Sequence, residues 1–395
     1  MKSNYKAIGE LVERIDERNR DGSITTLIGV SIDKKFIPSV ANVVGTDLTN
    51  YKVIRKYDFA VSLMQVSRDE KIPVACQKEY DAAIMSPAYP IFRVKDTNII
   101  MPEYLEMWFM RSEFDREASF VAVGGVRGSM PWEEFAKLKL PVPNIEIQKE
   151  IVSSYRAIID RITLKKRIND NLEATIQVIF KSMFIDYEGA DYSDYIDFEF
   201  GKYPANWNLV DLDSIIDVRD GTHDSPSPTE SGKYLITSRH LLPYAVDRSG
   251  AYFINETDYN KANERSKVEY GDILFSMIGT IGIISFITDR EIDFAIKNVG
   301  LFRTSQNPTM RYFILSYLKS KIVENYISSY MAGSTQSYVS LNVLRKIPLI
   351  LPPDEVIHRF EKQVTPLYAK MIENTHETIK LNDLKDVITT SMSSR

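Results

Sequence analysis

Two stretches of the chain carry the same rhythm of apolar and polar positions. Residues 151, 155, 158, 162, 165, 169, 172, 176, 179 and 183 alternate in steps of four and three. They read Ile, Tyr, Ile, Ile, Lys, Asn, Leu, Ile, Ile, Met. Residues 360, 364, 367, 371, 374, 378, 381, 385, 388 and 392 follow the same steps and read Phe, Val, Leu, Met, Asn, Thr, Leu, Lys, Ile, Met. Such a seam predicts a long helix that packs along its length on another helix. Each helix would be about 50 Å long at ~1.5 Å per residue. Both seams turn polar at the centre, at Lys165 and Asn169 and at Asn374 and Thr378. An antiparallel pair sets these centres opposite each other, which satisfies the polar groups jointly and fixes the register. The predicted contacts are Ile158, Ile162, Lys165, Asn169 and Leu172 against Leu367, Met371, Asn374, Thr378 and Leu381. The competing arrangement packs each helix on its own module.

The seams belong to a longer internal repeat. A shift of 209 residues places Gly124 on Gly333, Phe135 on Leu344, Leu138 on Ile347, Pro143 on Pro352, Leu172 on Leu381 and Met183 on Met392. Upstream the match is looser. Asp58 resembles Asp272, Asp81-Ala82-Ala83-Ile84 resembles Asp293-Phe294-Ala295-Ile296, and Phe92-Arg93 answers Phe302-Arg303. The segments before the helices are rich in Tyr, Ile, Val and Phe and are punctuated by turns such as Asp21-Gly22, Asp220-Gly221 and Ser249-Gly250. They predict β-rich α+β modules. The expected division is a first module over 1–145, a long helix over 146–188, an acidic linker over 189–203, a second module over 204–352 and a second long helix over 353–395.

Composition narrows the class. The 395 residues are 44% hydrophobic and 26% charged, which are ordinary globular values and exclude a disordered or fibrous chain. The single cysteine, Cys76, forms no internal disulfide and favours a reducing compartment. The longest uncharged stretch, 273–288, contains Gly279 and Gly282 and is short for a membrane span. The N-terminal residues lack the apolar core of a secretory signal. A cytoplasmic protein without a membrane role is expected. The net charge is −5, and much of it lies in the run from Asp186 to Glu199. A negative balance argues against nucleic acid in bulk, but it does not locate a patch.

Catalytic signatures are missing. Gly279-Thr280-Ile281-Gly282 is too short for a dinucleotide or S-adenosylmethionine loop, and Gly201-Lys202 and Gly232-Lys233 are each followed by Tyr, which excludes a phosphate-binding Walker element. His223, His240, His358, His376 and Cys76 have no metal-ligand spacing, and His358 and His376 read as surface positions of the second helix. These absences favour a binding protein. The repeated loops 124–129 and 333–338 place Arg127 and Gln336 at equivalent positions, with Ser129 in the first and Thr335 and Ser337 in the second. Arg pairs bidentately with guanine and Gln with adenine, while Ser and Thr serve phosphates or bases. An ordinary hairpin loop is the alternative. A further loop, 221–228, offers Thr222, His223 and Ser225 among two prolines, and a rigid turn would read the same way. The basic candidates are Lys34, Lys35, Arg68 and Lys71 in the first copy and Arg239, Arg248 and Arg265 in the second.

These residues resemble one family. The motifs are Gly271-Asp272-Ile273-Leu274-Phe275-Ser276 with Gly279-Thr280-Ile281-Gly282, Asp220-Gly221-Thr222-His223-Asp224-Ser225-Pro226, and Pro204-Ala205-Asn206-Trp207. A further one is the junction Leu140-Pro141-Val142-Pro143, followed by Gln148, leading into Asn169, Asn171-Leu172-Glu173 and Phe180-Lys181-Ser182-Met183-Phe184. With the duplication they are similar to the specificity subunits of type I restriction-modification enzymes, over essentially the whole chain. The second copy departs at its helix entry, where Pro352-Pro353 lacks the following Gln and Ile357 stands in its place. The resemblance implies an α+β fold of two pseudo-repeated target recognition domains separated by two long helices in an antiparallel coiled coil. Each domain would read one half of a bipartite, asymmetric double-stranded DNA site. Two methyltransferase subunits and restriction (motor-nuclease) subunits would dock on the chain. It would be non-catalytic and hold no cofactor, since S-adenosylmethionine, ATP and magnesium bind the partners. The competing class is an adaptor whose two modules recognise protein, and a third is a degenerate enzyme.

Overall fold

The computed structural model describes residues 4–39, 46–64, 66–122, 128–188, 194–332 and 338–393. Two compact units divide the chain. The first comprises Met1–Ile162 with Leu381–Arg395, and the second comprises Thr163–Lys380.

The first unit is built on a four-stranded antiparallel sheet. Its order is Val12–Ile15, Ile91–Val94, Phe59–Val61, Val74–Cys76. Phe59–Val61 and Val74–Cys76 are buried along their length, so these strands read as continuous apolar runs. Phe59 stacks on Phe92 at 5.2 Å, and both rings meet Phe109 edge-on. The second unit repeats the sheet in the same order with Val218–Asp220, Val299–Phe302, Ile273–Ser276 and Ile284–Phe286. The two aspartates matched in sequence do the same work. Asp58, wholly buried, accepts from the Arg55 N–H at 2.9 Å and from Arg93 Nε at 2.6 Å. Asp272, also wholly buried, accepts from the N–H groups of Glu269 at 2.8 Å and Ser305 at 3.1 Å. Each closes the turn that launches a central strand.

The small sheets beside these differ. Ala82–Met85 pairs antiparallel with Lys52–Arg55, whereas Phe294–Ile296 pairs parallel with Lys233–Ile236. The elements after the sheets keep one spacing again. Helices Pro102–Phe109, Ser112–Val121 and Trp132–Lys137 recur as Arg311–Leu318, Lys321–Ala332 and Leu341–Arg345, each beginning 209 residues later. Strand Lys139–Pro141 pairs with Tyr5–Ala7, and Pro348–Leu351 pairs with Asn208–Asp211. The long helices are Ile145–Phe184 and Asp354–Ser391. The stretch expected as an acidic linker contains an antiparallel hairpin, Tyr195–Phe198 with Gly201–Pro204. The alternating aromatics there bury one face, since Phe198 and Phe200 pack on the unit's core, while the acids face water.

The seams pair antiparallel within each unit. In the second, Phe180 and Phe184 pack on Phe360, and Leu172 and Leu367 join the same core with Met371. In the first, Ile151 and Tyr155 pack with Ile388 and Met392, and Ile158 and Ile162 are buried. The polar centre forms as expected. Lys165 donates to Asn374 Oδ1 at 3.0 Å and pairs with Glu377 at 2.6 Å. Asn374 donates back to Asn169 Oδ1 at 2.9 Å, and Asn169 donates to the Met371 carbonyl at 3.2 Å. His376 differs from its expected surface role. Its Nε2 lies 2.8 Å from Thr288 Oγ1, and because that hydroxyl donates to the Tyr244 carbonyl, the imidazole is the donor.

The missing glutamine of the second copy has a substitute. Gln148, wholly buried, accepts from the Met101 N–H at 2.9 Å and donates at 2.8 Å to the carbonyls of Ile99 and Pro143. It thereby ties the helix beginning at Pro102 to the long helix. At Ile357 no such bond is possible, and Glu361, one turn further on, accepts at 2.8 Å from both the Tyr312 and Phe313 N–H groups. The carboxylate satisfies the free donors at the start of Arg311–Leu318. Burial raises its pKa from 4.5 to about 7 against those two donors. The folded chain therefore holds more protons than the unfolded chain between those values, and stability falls as pH rises through that window, then levels off. Glu361→Gln keeps the accepting oxygen without the charge. Urea unfolding at about pH 5 and about pH 8 should show the wild type losing up to about 3 kcal/mol more than the variant across that range. Equal losses would contradict this role.

Candidate nucleic-acid interface

In the second unit, loop 220–225 is laced onto the strand Phe294–Ile296 and the turn after it. Gly221 donates to the Val299 carbonyl at 2.8 Å, Thr222 to that of Ile296 at 2.9 Å, and Asn298 to that of Thr222 at 3.2 Å. The approach requires glycine, because a Cβ on Gly221 would lie 2.3 Å from the Ile296 carbonyl oxygen. The lacing sets His223 outward. Its Nδ1 is 2.8 Å from Asn298 Oδ1 and its Nε2 is 3.1 Å from Asp220 Oδ2.

Three cations crowd this loop, each already held. Lys261 pairs with Asp224 at 2.9 Å, Arg265 bonds the buried Asp220, and Lys297 bonds Ser225 Oγ. Arg265 was among the sequence candidates. Lys261 and Lys297 were missed, because the helix and strand that carry them meet the loop only in the fold. Asn298, at φ 53°, is the one local signal beside Lys297: a left-handed residue closing a strand. Arg239 lies elsewhere, and its guanidinium donates to His240 Nε2 and to the Gly250 carbonyl. Arg248 holds Asp289 and Asp293.

A second loop comes alongside. Gly279 and Gly282, both at positive φ, turn the chain between the strands Ile273–Ser276 and Ile284–Phe286 and leave Ile278 exposed. Ile278 bridges Tyr338, also exposed, and the Val339 N–H donates to the Met277 carbonyl at 2.9 Å. Between the loops lies a cavity of about 360 Å³ reached by Asp220, His223, Ile278, Asn298 and Tyr338.

The first unit repeats the strand-tip contact. The Met130 N–H donates to the Leu63 carbonyl at 2.8 Å, the counterpart of Val339 on Met277. Met64 then stands exposed where Ile278 does, and Ser129, half-buried, takes the place of Tyr338. Arg68, on the short helix Val66–Asp69, is exposed beside Asp69, and Lys71 follows it, exposed. Lys35 is exposed in a turn. Lys34 is not a surface cation: its side chain is 6% exposed, held by Asp115 at 2.7 Å and by the Phe109 carbonyl at 2.5 Å. A left-handed backbone at φ 59° turns it inward, and burial holds the ammonium below its ordinary pKa despite Asp115. Arg127, Thr335, Gln336 and Ser337 lie outside the described residues.

Chemistry beyond recognition is sparse. Among the described residues no three His, Cys, Asp or Glu side chains gather as a metal site, and no helix is long and apolar enough to cross a membrane. A groove of about 860 Å³ in the second unit contains Glu173, Tyr244 and Lys319. Lys319 lies 2.7 Å from the Glu173 carboxylate, which also accepts from the Tyr244 hydroxyl at 2.9 Å. Burial opposes ionisation of Glu173, but Lys319 and these bonds hold its pKa below the ordinary value. The three groups are spent on one another.

Comparison with known proteins agrees with this picture. The family described as "Type I restriction modification DNA specificity domain" matches residues 70–174 and 204–382. The chain is 24% identical over 308 residues to the type I restriction enzyme MjaIX specificity subunit of Methanocaldococcus jannaschii, covering 73% of this chain and 67% of that one. It is 20% identical to the HindI specificity subunit of Haemophilus influenzae, covering 97% and 96%. Its fold is similar to the crystal structure of the type I restriction-modification S subunit from M. genitalium, with a TM-score of 0.57 at 14% identity over 98% of this chain and 95% of that one.

Gly221→Ala tests the lacing of the His223 loop. The new methyl group must displace the loop from Ile296, and urea unfolding of the second unit should show a loss of roughly 1–3 kcal/mol. An unchanged midpoint would mean that the loop is not held by this contact.

Proposed function

This chain belongs to the family of type I restriction-modification DNA specificity proteins, and from that premise we propose that each of its modules reads one half of a bipartite, asymmetric double-stranded DNA site. The observation that carries the reading is the strand-tip contact made in both units, Met130 on Leu63 and Val339 on Met277, with donors 209 and acceptors 214 residues apart, as two copies of one module would give. In the first module the proposed contacts are Lys35, Arg68, Lys71 and Ser129. In the second they are Thr222, His223, Ser225 and Arg239, joined by Lys261, Arg265 and Lys297. Arg127 and Gln336 are proposed to meet base edges, with Thr335 and Ser337 beside Gln336. Flexible cations around a fixed loop suit phosphates, which position a reader, while the loop's amide and hydroxyl groups suit base edges.

The remaining parts of the proposal follow the family. The chain is non-catalytic and works in the cytoplasm. It docks two methyltransferase subunits, which bring S-adenosylmethionine and flip an adenine for N6-methylation, and restriction subunits that bring ATP and magnesium. The paired long helices serve as the spacer between the two half-sites.

Exchange of residues 1–140 for those of another family member, co-expressed with the methyltransferase, should change one half of the methylated motif and leave the other half intact. Sequencing of methylated adenines reads the result directly. A change in both halves, or in neither, would overturn the modular reading.

The spacer has its own test. One heptad inserted after Lys166 and one after Thr375 keeps both seams in phase and lengthens each helix by about 10 Å. The half-site sequences should persist while the non-specific gap grows by up to about three base pairs at ~3.4 Å each. An active variant with the original gap would rule the helices out as the spacer.

A further inference from the structure

The first unit holds a cavity of about 610 Å³ beside the helices Pro102–Phe109 and Ser112–Val121. Two buried donors at it, Arg111 Nε and Trp108 Nε1, have no hydrogen-bond partner among the described residues, although each residue is only 4% exposed. The guanidinium lies over the Trp108 ring, 4.2 Å from its centre, and its Nη2 bonds Ser393 Oγ. Its nearest carboxylate, Glu113, is 3.5 Å away and 42% exposed. A buried cation with so weak a counter-charge and an empty Nε edge is costly.

The internal repeat shows that the fold does not demand this arrangement. The equivalent helical turn of the second unit carries Tyr317 and Ser320 in these places. The Tyr317 hydroxyl there donates to the Pro348 carbonyl at 2.5 Å, and although Ser320 Oγ is buried without a hydrogen bond among the described residues, that site has neither a buried cation nor an unpaired ring N–H. The same turn forms with and without the pair. Arg111 and Trp108 are thus additions to the module, and both face a cavity with apolar walls at Phe114, Val121 and Leu138.

We propose that this cavity is a binding site for a carboxylate carried on an apolar body. The carboxylate takes the open Nε edge of Arg111 and the Trp108 indole N–H, and the apolar portion lies along Phe114, Val121 and Leu138. A planar guanidinium edge matches two carboxylate oxygens, and the indole adds a third donor that no cation-binding site would offer. Lys139 lines the cavity as well, while Lys137 there is paired with Glu134 at 2.6 Å and Glu113 and Glu117 stand at the same wall, so the pull on a carboxylate rests on Arg111 and the indole N–H.

The test uses the full chain, with hexanoate as the probe and hexanamide as its neutral counterpart. Calorimetric titration should show saturable hexanoate binding, and hexanamide should bind roughly tenfold or more weakly, since it lacks the charge-assisted bonds. The Trp108 indole N–H resonance should shift along the same isotherm. Arg111→Ser, which installs the residue of the second unit, should weaken hexanoate by roughly tenfold or more. Trp108→Phe removes only the indole donor, and should weaken it by a smaller factor in a chain whose circular dichroism and unfolding midpoint confirm folding. Absence of saturable heat with hexanoate would overturn the proposal. So would equal binding of the amide, or retention of wild-type affinity by folded Arg111→Ser and Trp108→Phe chains.

Discussion

The buried contact of Asn374 with Lys165 and Asn169 is the constraint on which the rest of the architecture depends. Asn374 is wholly buried and gives its oxygen to Lys165 and its nitrogen to Asn169, while Lys165 also takes the charge of Glu377. An apolar seam tolerates a slip of one heptad, because one Leu or Ile layer replaces another. A polar centre does not, because a slip leaves an amide or an ammonium against aliphatic side chains at a cost of several kcal/mol. Lys165 and Asn374 occupy the same position of the internal repeat, 209 residues apart, and they touch.

Much of the fold was legible because it repeats: the helices recur at one offset of 209 residues, and the closing turns at Asp58 and Asp272 recur at a looser one of 214. Where the offset loosens, upstream of Pro102, the small sheets part ways, and the pairing of Phe294–Ile296 turns parallel where Ala82–Met85 is antiparallel. Those strands lie beside the central sheets and do not set the helix contacts.

What remained illegible concerns single polar side chains. Lys34 read as a surface cation because its neighbours Asp33 and Lys35 are polar, yet a left-handed turn sends it to a buried Asp115. His376 read as a surface position and instead bonds Thr288. Ile357 stands where the first copy has glutamine, and Glu361 makes the junction from the next turn with a different chemistry. In each case the partner lies far away in sequence, and periodicity carries no information about where a long side chain ends. The hairpin after the first long helix was hidden for a related reason: its acids dominate the composition, while Phe198 and Phe200 decide its folding.

The acidic charge of the chain takes on a specific meaning at the loops. A net charge of −5 does not come from a shortage of cations near the proposed interface, since Lys261, Arg265 and Lys297 surround the loop at His223. It is the excess of 54 acidic over 49 basic residues in the whole chain, and at the loop each cation is in addition held by a neighbouring oxygen. A phosphate that approaches must compete with Asp224 for Lys261 and with Asp220 for Arg265, so each contact exchanges one ion pair for another and yields little net free energy. Exposed pairs such as Lys261 with Asp224 contribute little and open readily. Arg265 with the buried Asp220 is harder to open, because a bare carboxylate would remain inside the fold. Under the proposed function, a reader built this way gains little from non-specific phosphate attraction, and its discrimination would rest on the groups that stay fixed when pairs exchange, the laced backbone at Gly221 and Thr222 and the imidazole held by Asn298.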